Sequence, residues 1–147
     1  AGDAEHGAAV AEARAQLIAR LADTICALPS EPFARPSLAY RPGGPLEAGA
    51  LAAALARGRA RDRAAGRALT GPQRDELEVS MASTGQRAAA SSTGEQKAML
   101  IAITLAHAEL AAAGRPSVLL LDEIAAHLDA RRRAALFERL GAGAAQV

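Results

Sequence analysis

The sequence predicts an α/β fold in which helices predominate. Apolar residues recur at helical spacing over several long segments, and one run of consecutive apolar residues, 118–121, has the pattern of a buried strand. The apolar fraction is 50%, but aromatic residues supply only 2% of the chain, so small and branched aliphatic side chains must form the core. At 147 residues the chain can form one domain with its own core, or a large part of a bigger domain.

Four segments carry apolar residues at the three- and four-residue spacing of a helix with a buried face. They are residues 3–28, 47–64, 93–112 (beginning at Thr93 or Gly94) and 130–140. Prolines 29, 32 and 36 end the first helix, and we expect Gly66 to close the second. The third carries apolar residues around most of its circumference, which predicts burial on several sides.

Three shorter segments have the pattern of strands. Residues 37–41 and 77–81 alternate between apolar and polar side chains, as half-buried strands do. Residues 117–122 contain the apolar run 118–121 and end in an acid, a pattern typical of a strand inside a parallel sheet.

Composition restricts the classes of function. The net charge of +1 gives no overall attraction to nucleic acid or membranes, and the longest uncharged apolar stretch, 98–106, is too short to span a bilayer. The single cysteine, Cys26, excludes an internal disulfide and suits a reducing cytoplasm, and we expect its thiol to be buried on the apolar face of the first helix. No secretory signal is visible, and we expect both ends to be cuts in a longer protein.

A pair of carboxylates, Asp122 and Glu123, follows the apolar run. In α/β sheets ligands bind beyond the carboxyl ends of strands. Asp122 could hold Mg²⁺ there, while Glu123 could orient or deprotonate an attacking water. The alternative is that Asp122 caps the next turn and Glu123 is solvated.

A turn of small residues, Ser92-Thr93-Gly94-Glu95 (the 92–95 turn), opens the third helix. Ser92 followed three residues later by Glu95 is a capping box, which needs no ligand. The same helix start offers free N–H groups and a favourable dipole to a phosphate, and Gly94 permits close approach. Both interpretations fit the residues.

The order of these motifs resembles the second half of an ABC-type ATPase head, although no G-x-x-x-x-G-K-[ST] phosphate loop is present. Residues 91–97 are similar to the L-S-G-G-[QE] signature, with Ser91 at the Leu and Thr93 at the first Gly. Residues 126–129 resemble the D-loop, with Asp129 in the acidic position. The turn, buried helix, apolar strand and acidic pair together form a pattern that is rarely met by chance.

Within that group the chain resembles the RecF family. Residues 71–77 are similar to its G-P-H-R-D-[DE]-L segment, with Gln73 in place of His, and residues 5–11 resemble the helix that leads into its arm subdomain. The resemblance implies a mainly helical, arm-like subdomain at 1–64. It implies the C-terminal portion of an ABC ATPase head at 65–147.

The resemblance also implies a role in DNA repair, replication and the SOS response. ATP and Mg²⁺ would be the cofactors, Asp122 the magnesium ligand and Glu123 the catalytic base. The 92–95 turn would contact the γ-phosphate bound by a second copy, and Asp129 would couple the two sites. The implied nucleotide-binding residues are Ser92, Thr93, Gly94, Glu95 and Asp129. The implied partners are gapped or junction DNA, a second copy in an ATP-dependent homodimer, and RecO and RecR, in the cytoplasm and without a membrane.

A basic stretch offers a local reason to expect DNA contact. Its members are Arg57, Arg59, Arg61, Arg63 and Arg67. They could neutralise several phosphates, which would make binding salt-dependent. The alternative is a solvated helix end whose cations favour the helix dipole.

Two other functions stay open: another ABC- or SMC-type ATPase head, and a non-catalytic helical interaction module whose motifs are only caps and a core strand. Without a phosphate loop we expect little ATP binding or hydrolysis by the 147 residues alone.

Overall fold

The structure is a computed structural model, and it describes residues 2–28, 34–115, 117–119, 128–142 and 145–146. The chain divides into two compact units, each made of two separate stretches. The first unit contains residues 1–20 and 38–78, and the second contains residues 21–37 and 79–147. From the sequence we expect two subdomains with one boundary, between residues 64 and 65. That boundary stays a prediction.

The four expected helices are present, and their bounds differ from the predicted ones by two residues at most. They are α1 (Gly2–Ala27), α2 (Ala48–Ala65), α3 (Thr93–Ala112) and α4 (Ala130–Ala142). The Glu47 carboxylate caps α2 by accepting the N–H groups of Gly49 and Ala50 at 2.9 and 2.7 Å. Gly66 ends α2 with φ of 63°, a left-handed conformation that glycine adopts without a steric penalty, as predicted.

The strands form two small sheets. Strands β1 (Pro36–Arg41) and β2 (Glu76–Met81) are hydrogen-bonded neighbours. Strand β3 (Ser117–Val118) pairs in parallel with β4 (Ala145–Gln146), with Ser117 opposite Ala145. The parallel pairing agrees with the expectation from the apolar run. Residues 120–122 of the predicted strand lie outside the described residues, and β4 was not predicted.

In the first unit α1 packs closely against α2. Ala4, Ala11 and Leu51 are buried. A Cβ placed on Gly7 would lie only 3.1 Å from Leu51 Cδ2, so the glycine allows the two helices to approach one another.

The core of the second unit lies between α3 and the region of α4. The buried side chains of Ala98, Ile101 and Leu105 from α3 pack with Leu128 and Leu136. The buried residues of α3 lie between Ala98 and Ala106 and share one broad face of the helix. Leu100, on the opposite side, is 63% exposed, so the expectation of burial around most of the circumference was wrong.

The first helix corrects one expectation. Cys26 is exposed rather than buried, because the neighbouring Ile25 takes the buried position and successive helix residues are rotated by roughly 100°. Val10 and Leu17, which share the spacing of the apolar face, are also substantially exposed. Among the described helices, none has a long enough apolar stretch to cross a membrane.

Candidate functional site

The 92–95 turn forms the predicted capping box. The Ser92 hydroxyl oxygen accepts the N–H of Glu95 at 3.3 Å, and Glu95 Oε2 accepts both the N–H and the O–H of Ser92, at 2.8 and 2.9 Å. These two bonds from Ser92 outweigh the opposing effect of burial and hold the pKa of Glu95 below its ordinary value, with a smaller contribution from the charge of Arg132. The hydroxyl proton of Ser92 is therefore engaged with the carboxylate of its own helix.

The surface of this turn is open. Ser92, Thr93 and Gly94 are exposed, and within the described part of the chain no group accepts the N–H of Thr93 or Gly94. Such unpaired N–H groups at a helix start attract anions. A Cβ on Gly94 would meet only the Arg132 guanidinium, at an ordinary 3.8 Å, so the described chain itself does not require glycine there.

Ser91 explains how serine can replace the leucine of the signature pattern. The residue is buried, and its hydroxyl donates to the carbonyl of Arg87 at 3.2 Å. Its own carbonyl accepts the side-chain amide of Gln96 at 3.0 Å. Because its polar atoms are satisfied locally, a hydroxyl here costs the core little.

Asp129 begins α4 as an N-terminal cap. Its Oδ1 accepts the N–H of Arg132 at 2.8 Å, while Oδ2 lies 3.5 Å from Arg132 Nη1. The Arg132 guanidinium also lies beside Gly94, so the structure brings the start of α3 and the start of α4 to the same place. The sequence interpretation missed Arg132; its position three residues after a capping acid was the available signal.

Asp122 and Glu123 lie outside the described residues. Their assignments as magnesium ligand and catalytic base therefore stay predictions. Among the described residues, no three histidine, cysteine or acidic side chains are grouped closely enough to hold a metal.

The five arginines of the basic stretch are all exposed, and none forms an ion pair with another described residue. On α2 their alternate spacing distributes them over two rows. Arg57 and Arg61 lie one turn apart on one side, and Arg59 and Arg63 lie on a side rotated from it by roughly 200°. Arg67 follows the end of α2, so the five do not form a single flat surface.

A second polar group, the Asp75 cluster, consists of Asp75 with Arg14, Tyr40 and Gly43. The Asp75 carboxylate accepts Arg14 Nη1 at 2.9 Å, the Tyr40 hydroxyl at 2.6 Å and the Gly43 N–H at 2.8 Å. Its side chain is only 5% exposed. The motif at 71–77 was recognised in the sequence, but the partners of Asp75 were not, because they come from α1, β1 and the turn after β1.

The cluster shifts two pKa values. Burial raises the pKa of Asp75, but the hydrogen bonds from Gly43, Tyr40 and Arg14 outweigh it and hold the pKa below its ordinary value. Burial, then the hydrogen bond to Asp75, raises the pKa of Tyr40 to about 12. The adjoining cavity of ≈ 270 Å³ is smaller than most small-molecule sites. The cluster therefore fits a structural role better than a nucleotide site.

The chain is similar to known proteins over most of its length. No family model matches the chain. It is 48% identical over 151 aligned positions to the DNA replication and repair protein RecF of Mesorhizobium japonicum, covering 93% of the chain and 39% of that protein. The RecF protein of Brucella abortus is 49% identical over 148 positions, covering 91% of the chain and 38% of that relative. The chain thus spans less than half the length of these curated relatives.

A solved structure gives the same assignment at the level of the fold. It is described as the structure of the recombination mediator protein RecF-ATP in the RecFOR pathway. It matches with a TM-score of 0.76 and 21% identity, covering 97% of this chain and 41% of that one. Given the identity to the curated relatives over more than nine tenths of its length, the chain belongs to the RecF family.

Proposed function

We propose that the chain supplies the C-terminal part of a RecF-type ATPase head, in which the 92–95 turn receives the triphosphate of an ATP bound by a second copy. The observation that carries this proposal is the open start of α3. It has exposed small residues, N–H groups of Thr93 and Gly94 without an acceptor in the described chain, and the positive end of a 20-residue helix.

The fit to phosphate rests on the donors of this turn. An incoming phosphate oxygen would accept the N–H of Gly94 and compete with Glu95 for the hydroxyl proton of Ser92. The small size of Gly94 leaves the approach free, although the chain's own packing tolerates a larger residue there. If function requires glycine at position 94, the reason must be the close approach of a ligand or partner that is not part of the described chain.

The catalytic half of the proposal concerns Asp122 and Glu123. Asp122 would hold Mg²⁺, which supplies charge neutralisation at the phosphates when bound, and Glu123 would accept a proton from the hydrolytic water. Asp129 would couple the two sites of the dimer. These roles follow from family membership and from the order of the motifs, and the similarity to a solved structure of RecF-ATP supports the nucleotide.

The experiment uses the full-length protein and Gly94→Ala. Alanine favours a helix, and its Cβ has room, so we expect the thermal stability to be unchanged or slightly higher. The added methyl group should obstruct the phosphate and weaken ATP-dependent dimerisation about tenfold or more, as measured by sedimentation velocity against ATP concentration.

The matched control is Gly58→Ala in α2, where the new Cβ would also make only ordinary contacts, at 3.6 Å or more from Asp62. It should dimerise like the wild type. Wild-type dimerisation by Gly94→Ala would refute the proposed contact. Glu123→Gln should trap the ATP-bound dimer, and full turnover by that variant would reject the assigned base.

DNA binding through α2 belongs to the same proposal. The two arginine rows allow a sharper test than a single multiple mutant, because one duplex can face only one row at a time. Affinity falls as salt rises, so the slope of log affinity against log salt is negative. Replacing the row that faces DNA, either Arg57 and Arg61 or Arg59 and Arg63, should make this slope shallower by roughly 2. The other pair serves as the control. If neither pair changes the slope when it is replaced, α2 does not contact DNA.

Two further parts of the proposal follow from the family. Gapped or junction DNA, RecO and RecR are the partners that we propose, and the RecFOR pathway named for the solved neighbour supports the last two. Relatives named as DNA replication and repair proteins support a cytoplasmic location, where bacterial DNA lies.

A non-catalytic interaction module would instead bind no nucleotide, so nucleotide cross-linking to the full-length protein distinguishes it.

A further inference from the structure

Arg132 lies at the place where α3 and α4 begin, beside the Asp129 carboxylate and near Gly94. Its Nη1 atom is 3.5 Å from Asp129 Oδ2. The same atom is 3.8 Å from the position that a Cβ on Gly94 would occupy. Its positive charge also contributes to the low pKa of Glu95, after the larger effect of the two bonds from Ser92. One guanidinium thus serves both helix starts.

The location of Arg132 on α4 differs from that of the two arginines beside it. Arg131 and Arg133 are exposed, whereas the Arg132 side chain is 30% exposed. Successive residues of a helix are rotated by roughly 100°, so Arg131 and Arg133 leave α4 in directions different from that of Arg132. If function needed only positive charge anywhere on α4, the three arginines would be equivalent. If it needs positive charge at the 92–95 turn, they would not be.

The charges around the turn present a problem for an anionic ligand. Glu95 and Asp129 place two carboxylates at the surface that a triphosphate would approach, and carboxylates repel phosphate. The exposed N–H groups of the turn carry only partial charge. Arg132 brings a full positive charge to this place, next to the Asp129 carboxylate and close to Gly94.

We propose that Arg132 is a positioning residue that holds Asp129 and the 92–95 turn at a fixed spacing and offsets their two negative charges, so that the turn can accept the triphosphate of a second copy. This inference rests on the proposed function. It predicts that the charge of Arg132, and secondarily its forked shape, controls ATP-dependent dimerisation. ATP binding by the chain's own subunit should not depend on it.

The test compares Arg132→Gln, Arg132→Lys and the control Arg133→Gln in the full-length protein. Dimerisation is measured by sedimentation velocity against ATP concentration, and ATP affinity of the monomer by a fluorescent ATP analogue at dilute protein. We expect Arg132→Gln to raise the ATP concentration for half-maximal dimerisation roughly tenfold. Arg132→Lys should recover part of this loss because it keeps the charge. Arg133→Gln should behave like the wild type, and monomer affinity should be unchanged in all three.

The outcomes separate this inference from the function on which it rests. If Gly94→Ala abolishes dimerisation and Arg132→Gln does not weaken it, the role of Arg132 is refuted and the proposed function stands. If neither variant affects dimerisation, the proposed function fails. If Arg132 were merely structural, its replacement would lower the melting temperature, and Arg132→Lys would dimerise no better than Arg132→Gln. That pattern would also overturn the inference.

Discussion

Two carboxylates in this chain accept N–H and O–H donors at similar distances, yet their surroundings differ. The Asp75 side chain is almost fully buried and receives bonds from Arg14, Tyr40 and the backbone of Gly43. Glu95 receives both of its bonds from Ser92, at an exposed helix start. Similar hydrogen bonds therefore serve different ends: Asp75 holds separate segments together, whereas Glu95 completes a turn whose outer surface stays available.

The sharpest way to test this difference is to add one methyl group to each region. A Cβ on Gly43 would lie 2.5 Å from the Arg74 carbonyl carbon and 2.5 Å from Gly71 O, so backbone must move. We expect Gly43→Ala to lower the free energy of unfolding by ~3 kcal/mol. Gly94→Ala, with only an ordinary contact, should cost nothing. Urea unfolding followed by circular dichroism measures both, and equal losses would contradict the comparison.

Removal of the charge of Asp75 should have the next largest effect. In Asp75→Asn, the amide cannot accept all three donors, and we expect a loss of about 2–3 kcal/mol in the free energy of unfolding. The control is Glu76→Gln, because the neighbouring Glu76 is exposed and its side chain has no hydrogen bond within the described residues. A loss no larger than that of the control would show that the cluster is not important for stability.

Asp75 also predicts an acid dependence. Its pKa is lowered on folding, so its contribution is fully present above the ordinary value of 3.8 and disappears as pH falls through the lower folded pKa. The stability difference between wild type and Asp75→Asn should therefore shrink below about pH 4. Unfolding in urea at several acidic pH values measures this difference, and a difference constant with pH would exclude a charged Asp75.

Replacement of Tyr40 should have a smaller effect on stability, and the pH dependence of that effect should run in the opposite direction. Tyr40→Phe removes one bond to Asp75 and should cost about 1 kcal/mol. Since folding raises the tyrosine pKa from 10.0 to about 12, its contribution is present below pH 10 and is lost as pH rises toward 12. Tyr40 is the sole tyrosine of the 147 residues, so the ultraviolet absorbance of tyrosinate in this chain reports it directly. A titration midpoint near 10 would contradict both the partial burial of Tyr40 and its hydrogen bond to Asp75.

The smallest effect is expected at the exposed helix start. Ser92→Ala removes the cap of α3, which typically costs about 1 kcal/mol or less at an exposed site. Exposed Ser37, whose side chain has no hydrogen bond within the described residues, provides the control variant Ser37→Ala. If Ser92→Ala were as damaging as Asp75→Asn, the turn would be part of the fold's framework rather than an available surface.

The sequence predicted these two regions to different degrees, for a physical reason. The four helices and the capping box depend on residues three or four positions apart, so spacing alone reveals them. Nothing in the neighbouring sequence indicates that Arg14, Tyr40 and Gly43 donate hydrogen bonds to Asp75, because only the folded chain brings them together. The exposure of Cys26 was missed because its neighbour Ile25 occupies the buried position.

The Asp75 cluster has a consequence for the order in which the chain folds. Its bonds join residues that are 61, 35 and 32 positions apart, whereas the capping box joins residues three apart. Closing long loops costs entropy before any contact forms, so the box can form with α3 while the cluster must wait for distant segments to meet. We expect a φ-value near zero for Asp75→Asn and a larger one for Ser92→Ala in folding kinetics.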